Sequence, residues 1–334
     1  MRILLLSNMY PSQSRPDYGV FVARMADALR AAGHEVDEAV IRDDRRGRLR
    51  TPLKYLRLLG TARSLARRTS PDVVYAHYLV PTGIVAALTG VPFVVTAHGG
   101  DVENARGSLP LRWATRWVIR RAAAVICVSE YLALRLPEAP QRLAVIDSGV
   151  DTHRFAAAPR HADGGPRFLF VGSLTERKNV DRLIDAFVRL GEGSLVVAGS
   201  GPLEEELRSR AAPGVRFAGR LNRDEVASAL RDADILCLPS IVEPFGQAAL
   251  EALASGRPVV ATRVGGPPEY LTEACGVLVD PLDVDSIANG LRRAMTLPVP
   301  CPAALTVARE HDVDRQAARV AEVLRAVSSS HDDG

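Results

Sequence analysis

Short apolar runs rich in β-branched residues recur along the 334 positions, each bounded by glycine, proline or polar residues. In the first half they read RILLLSN, HEVDEAVI, PDVVYAH, PFVVTAHG, AAVICVS and LAVIDSG. In the second half they read RFLFVGSL, SLVVAG, VRFAG, DILCLPS, RPVVATRVGG and GVLVD. Between most of them the apolar positions return every three or four residues, as in VFVARMADALRAAGH, which has a glycine near its end. Strands alternating with helices predict parallel strands joined by crossover helices, and the alternation occurs twice. The expected class is therefore α/β, with two doubly wound parallel sheets. Residues 155–167, FAAAPRHADGGPR, are rich in Pro, Gly and Ala and lack periodicity, so they read as a linker. This places one domain at 1–157 and another at 166–311, with a C-terminal helix over about 312–328 packing back onto the first. The polar end SSSHDDG reads as frayed.

Composition narrows the picture. Apolar residues make up 47% of the chain, yet no unbroken run approaches the ~20 residues of a membrane span. The run MRILLLSN is short for a signal peptide and reads as a first strand. Four cysteines, Cys127, Cys237, Cys275 and Cys301, stand singly, which argues against disulfides or a thiolate metal site and fits a reducing cytoplasm. Charge is uneven: residues 1–160 hold 23 Lys+Arg against 14 Asp+Glu (+9), and 161–334 hold 19 against 25 (−6), so the halves are expected to take different ligands. Only two of the 42 basic residues are lysines, Lys54 and Lys178, so Lys178 stands out against an arginine habit.

In doubly wound sheets ligands bind beyond the carboxyl ends of the strands. The stretch EPFGQAALEA lies there, after the strand DILCLPS. Glu243 precedes a proline and is biased to extended backbone. A helix is expected from about Gly246 to Ser255, with Gly256 as its C-cap and Glu251 more than a turn inside. The amides of Phe245, Gly246 and Gln247 form an electropositive helix start, suited to an anionic or hydroxyl-rich ligand.

These residues resemble a known family. EPFGQAALEA is similar to the E-x7-E motif of retaining glycosyltransferases of family 4. GVFVARMADALRAAGHEV resembles their N-terminal glycine loop and helix, TAHGGD their histidine motif, and CVSEYL and SGVDTHRF the stretches before the interdomain linker. VGSLTERKNVDRLIDAF resembles their phosphate-binding motif, and GGPPEYL a loop near the donor. The resemblance implies the GT-B fold: two Rossmann-like domains facing a cleft, the N-terminal on the acceptor side and the C-terminal binding a nucleotide-sugar donor of UDP or GDP type. It implies that Glu251 bonds the ribose, that Glu243 lies near the donor sugar and its phosphate, and that Lys178 neutralises the diphosphate. The family usually carries an arginine where this chain has Ser173, after Gly172, and the adjacent Arg177 is a candidate replacement. Arg220 and Leu221 are further donor-side candidates by the same resemblance. His98 is expected near the donor sugar, with Asp101 on the acceptor side. His77 is read either as structural or as acceptor-side. Gly19 would let backbone approach the diphosphate, although Tyr18 replaces a second glycine common in the family.

The function implied is transfer of a sugar from a nucleotide diphosphate to a hydroxyl acceptor in polysaccharide or glycoconjugate biosynthesis, without a cofactor or metal. The rivals are a nucleotide-sugar epimerase or sugar-phosphate synthase on the same fold, and an inactive nucleotide-sugar-binding subunit. Other patterns are declined. The D-x-D spacings at Asp232–Asp234 and Asp283–Asp285 open a strand and lie in a late loop, and GSGP lacks the third glycine of a dinucleotide loop. Residues 42–68 hold ten basic residues against two acidic ones, with Leu53, Leu56, Leu59 and Leu65 at nearly helical spacing, and LRWATRWVIRR carries Trp113 and Trp117. Either these stripes pack on the first sheet beneath solvated arginines, or they meet an anionic membrane or a phosphate-bearing, lipid-linked acceptor. No nucleic-acid module accompanies the charge. The expected location is the cytoplasm, with peripheral contact at the inner face of the membrane.

Overall fold

The computed structural model describes residues 1–13, 15, 18–42, 50–159 and 165–332. They form two compact units: Met1–Gly149 with the chain from Val313 onward, and Val150–Asp312.

The first unit carries β1 (Arg2–Ser7), α1 (Val20–Ala31), β2 (Glu35–Val40), α2 (Arg50–Thr69), β3 (Val73–His77), α3 (Thr82–Ala87), β4 (Phe93–Ala97), α4 (Gly100–Gly107), α5 (Leu109–Arg121), β5 (Ala124–Cys127), α6 (Glu130–Ala133) and β6 (Leu143–Val145). Its six strands pair in parallel in the order β2-β1-β3-β4-β5-β6. Every residue of β3, β4 and β5 is buried, whereas the edge strands β2 and β6 are mostly half-exposed. Central strands covered by helices on both faces must be apolar throughout, which is why the runs in this sequence do not alternate.

The second unit carries β7 (Arg167–Val171), α7 (Val180–Leu190), β8 (Ser194–Ala198), α8 (Glu204–Ser209), β9 (Val215–Gly219), α9 (Arg223–Asp232), β10 (Ile235–Leu238), α10 (Gln247–Ala254), β11 (Val259–Thr262), β12 (Gly276–Val279), α11 (Val284–Ala294) and α12 (Pro302–Glu310). Its parallel sheet runs β12-β11-β10-β7-β8-β9. Strand order reverses between β1 and β3 in the first sheet and between β7 and β10 in the second, and loops flanking such a switch point open a crevice at the carboxyl ends of the strands. All twelve apolar runs are strands.

One boundary differs from the sequence reading. The chain changes units at Gly149/Val150, so residues 150–157 belong to the second unit: Val150 N–H donates to His311 O at 2.8 Å, Thr152 Oγ1 donates to Asp312 Oδ2 at 2.6 Å, and Phe155 is buried. Alanines around Phe155 mimic a linker, but its ring is core. Residues 160–164 of the expected linker lie outside the described residues. The last helix, α13 (Val313–Asp332), is part of the first unit, where Ala317, Val320, Ala321, Leu324 and Val327 join the core of Val22, Leu29 and Ile126. Among the described residues no helix is long and apolar enough to cross a membrane.

Candidate active site

In the second unit the loops after β7 and β10, which flank the switch point, are fastened together. A single 3-10 turn, Glu176–Lys178, follows β7. Ile241 N–H donates to Arg177 O at 2.8 Å, and Arg177 Nη1 donates to Val242 O at 3.1 Å. Lys178 Nζ donates to Glu243 Oε2 at 2.5 Å, and Ser240 Oγ donates to the same oxygen at 3.0 Å. This ion pair is largely withdrawn from water, with side-chain exposures of 13% for Lys178 and 8% for Glu243. Burial alone would push the Glu243 carboxyl up. The Lys178 ammonium, with help from Arg177 and the Ser240 hydroxyl, holds it below its ordinary value. Glu243 is therefore an anion at neutral pH, and Lys178, with three donors, can serve this carboxylate and a second anion together.

Backbone geometry fixes Glu243 as closely as its side chain does. Glu243 N–H donates to Val264 O at 3.1 Å, and Gly266 N–H donates to Glu243 O at 2.9 Å. Gly265 has φ +123°, and a Cβ there would stand 1.9 Å from Glu243 O. The glycines of GGPPEYL thus admit the glutamate-bearing loop. Gly246 caps α10 with φ 99°, Gln247 is its first residue, and Gly256, with φ 69°, ends it. Phe245 packs on Tyr270 at 5.1 Å between centroids, and Tyr270 Oη donates to Phe245 O at 2.8 Å. Glu251 sits half-buried one turn into α10.

Gly172 and the exposed Ser173 follow β7. The neighbouring GSGP loop presses on them: a Cβ at Gly199 would lie 1.7 Å from Gly172 O, and one at Gly201 2.3 Å from Leu174 O. Its glycines are demanded by this close packing. Exposed Arg220 follows β9. Leu221 instead lines a cavity of about 880 Å³ bounded by Phe168, Leu195, Val215 and α9, on the wall formed by strands and helix, and not in the Lys178–Glu243 cluster.

Asn179 is the residue that sequence reasoning missed. It is fully buried with φ 58°, and its Nδ2 donates to Pro239 O at 2.9 Å and Pro281 O at 2.6 Å. It ties the turn carrying Lys178 to the loops after β10 and β12. The signal was an Asn at the left-handed residue just before a helix, a position that Asn tolerates better than most residues.

In the first unit the end of β3 and the loop after β4 bring His77 and His98 together, with Nδ1 of His77 3.0 Å from Nε2 of His98 and the rings nearly parallel at 18°. Phe21 and Tyr78 pack on His98, each at 4.8 Å between centroids. Burial lowers the His77 pKa well below its ordinary value and that of His98 to about 3, so both imidazoles are neutral. Asp101, expected on the acceptor side, spends its carboxylate on the protein. Oδ1 accepts from the N–H groups of His98, Gly99 and Val102, and Oδ2 from Leu79 N–H, at 2.9 to 3.2 Å. It holds the His98 turn against the turn after β3. Gly19 is likewise demanded by the chain itself: φ is 70° and a Cβ would fall 2.5 Å from Met9 O.

The declined acidic pairs are structural. Asp234 Oδ2 accepts from Arg167 N–H and Asp283 caps α11. Among the described residues no group of three or more His, Cys, Asp or Glu is placed to hold a metal ion.

Comparison with known proteins adds to this geometry. The model for "Glycosyl transferases group 1" matches residues 151–319, and that for "Glycosyltransferase Family 4" matches residues 19–154. The chain is 33% identical over 205 residues to an uncharacterized glycosyltransferase of Methanocaldococcus jannaschii, covering 58% of this chain and 57% of that one. It is 32% identical over 279 residues to a glycogen synthase of Mycobacterium tuberculosis, covering 76% and 66% respectively. It thus spans under two thirds of the length of either relative. Among solved structures, sucrose-phosphate synthase of Thermosynechococcus elongatus superposes with TM-score 0.84 at 20% identity, over 99% of this chain and 100% of that one. HepE of Anabaena, in complex with UDP-glucose, gives 0.78 at 19% over 98% and 100%. The shared architecture is the GT-B fold.

Proposed function

From a chain that belongs to glycosyltransferase family 4, we propose a retaining transferase that moves a sugar from a nucleotide diphosphate onto a hydroxyl acceptor. The observation that carries this reading is the buried Lys178–Glu243 pair, fastened beside Arg177 at the switch point of the second unit. Negative charge builds on a diphosphate as its bond to the sugar breaks, and cations fixed in advance stabilise it without reorganisation. Lys178 and Arg177 supply that charge, the start of α10 adds oriented amides, and Glu251 accepts from two ribose hydroxyls. In the reaction the bond from the anomeric carbon to the diphosphate oxygen breaks, the acceptor oxygen bonds that carbon on the same face, and the acceptor's proton passes to the diphosphate. His98 is assigned to the donor sugar.

The test is transfer from UDP- or GDP-sugars to added acceptors in EDTA, with glycoside as product. Epimerised donor, or binding of nucleotide without product, would favour the rival readings. Glu251→Ala is expected to weaken nucleotide binding by about 10- to 150-fold, the effect of losing one charge-assisted hydrogen-bonding group. Calorimetry with UDP and GDP reads it directly, and unchanged affinity removes Glu251 from the site.

A second element of the reading concerns the acceptor. On α5, Thr115, Val118 and Ile119 are buried, while Leu109, Trp113 and Trp117, four residues apart, face outward with exposures of 71%, 67% and 37%. On α2 the buried positions are Leu58 and Ala62, and Leu53 and Leu56 are exposed. The stripes noted in the sequence therefore do not all pack on the sheet. Arg45, Arg46 and Arg48 lie outside the described residues, but Arg121 stacks on Trp117 and Arg112 is exposed. Exposed tryptophans among arginines suit an anionic lipid surface, hence a lipid-linked acceptor. Co-sedimentation with vesicles is expected to rise with anionic lipid and fall with salt. Trp113→Ser with Leu109→Ser is expected to abolish most of it, and equal recovery with neutral vesicles would point to an acceptor free in solution.

A further inference from the structure

We infer that His77 is a positioning residue that holds His98 as the Nδ1–H tautomer, so that His98 meets its ligand as a hydrogen-bond donor. The inference rests on the reading of His98 above only for the ligand, and on the protein's own geometry for the tautomer.

Two neutral imidazoles joined through one nitrogen each leave two arrangements. If His98 Nε2–H donated to His77 Nδ1, the proton of His77 would sit on its Nε2. That atom is buried, in a side chain 2% exposed, and has no hydrogen-bond partner. The result would be an orphaned buried N–H, which proteins almost never retain. If His77 Nδ1–H donates to His98 Nε2 instead, the atom left over is a bare lone pair, and an unfilled acceptor is the milder defect. The second arrangement opposes the Nε2–H preference of a free imidazole in both rings, a weaker effect than an orphaned donor. It places the His98 proton on Nδ1.

That nitrogen has no hydrogen bond among the described residues, and His98 is only partly buried. The surroundings keep the pair neutral: Tyr75 packs on His77, Tyr78 on His98, and the Asp101 carboxylate is engaged by four backbone N–H groups. The His98 backbone is held by Asp101 and its ring by His77, Phe21 and Tyr78. A neutral donor fixed in this way can bond a sugar hydroxyl without protonating it.

Two-bond proton–nitrogen spectra of the full chain labelled with nitrogen-15 histidine report which ring nitrogen carries the proton. His77 and His98, assigned through His77→Phe and His98→Asn, are both expected as Nδ1–H tautomers, unchanged between about pH 6 and 8. In His77→Phe, which keeps a flat ring but removes the donor, the His98 signal is expected to move to the Nε2–H pattern. A wild-type His98 in the Nε2–H or imidazolium form overturns the inference, as does a His98 tautomer indifferent to His77→Phe. Should that variant not fold, the wild-type spectrum decides alone. The spectra need no ligand, so a failed transfer assay leaves the tautomer standing, and a wrong tautomer leaves the transferase reading standing.

Discussion

Lys178→Met is expected to lower kcat/KM by about 10²- to 10³-fold, the cost of removing one preorganised group from developing charge. It is also expected to destabilise the second unit by about 3 to 5 kcal/mol, because Glu243 is left buried without its counter-ion. The two losses have different origins and can be separated. Adding Glu243→Gln removes the orphaned charge, so Lys178→Met/Glu243→Gln should regain much of the stability and none of the activity. The pH dependence gives a second check. In the wild type the Glu243 pKa is depressed below its ordinary value of 4.5, so the pair contributes stability above that pH and loses it as pH falls through the folded value. In Lys178→Met the main counterweight to burial is gone and only Arg177 and Ser240 oppose it, so the carboxyl is expected to rise and the variant to lose stability as pH rises past 4.5. The stability gap between the two proteins should therefore widen from about pH 4 to pH 7. Denaturant titrations at several pH values measure it. A constant gap would mean that the pair is not coupled as the geometry implies, and full activity in EDTA without Lys178 would remove the lysine from the chemistry.

What could be read in advance follows from which signals are local. The strands were legible because central parallel strands are buried on both faces, so VVYAH and FVVTA carry no polar alternation to obscure them. The cluster of Lys178 and Glu243 was legible as two motifs beyond strand ends, though only folding shows that the lysine and the carboxylate share a proton bridge 65 residues apart. Other features depend on contacts that no window of sequence contains. No window of sequence shows that four backbone N–H groups bond Asp101, or that Met9 lies against Gly19. Periodicity finds the apolar stripe of α5 but cannot say that Val118 and Ile119 turn inward while Trp113 does not. The linker was misplaced because Phe155 is one ring among alanines, and nothing in that stretch marks it as buried.

Asn179→Ala should lower the stability of the second unit by about 3 kcal/mol or more, although the side chain touches none of the predicted ligand groups. Two costs add. The carbonyls of Pro239 and Pro281 lose their donor in a fully buried place, about 1 to 3 kcal/mol each. The backbone at φ 58° must also be held by a residue with a Cβ that can no longer bond locally, about 1 to 2 kcal/mol. For a unit of this size the midpoint of thermal unfolding should fall by about 6 to 12 °C. Asn179→Gly relieves the second cost and not the first, so it should recover about 1 kcal/mol. The functional consequence comes through Lys178, the preceding residue, whose turn Asn179 ties to the loop after β12 and, beside the bonds of Arg177 and Lys178 themselves, to the loop after β10. Measured well below its melting point, Asn179→Gly should still lose turnover, since a misplacement of about 1 Å can cost 10²-fold. Calorimetry and kinetics on the three proteins test this ordering. Unfolding of Asn179→Ala at the wild-type temperature would show that these two hydrogen bonds are not what ties the loops together, and wild-type turnover in Asn179→Gly would show that Lys178 is placed by other contacts.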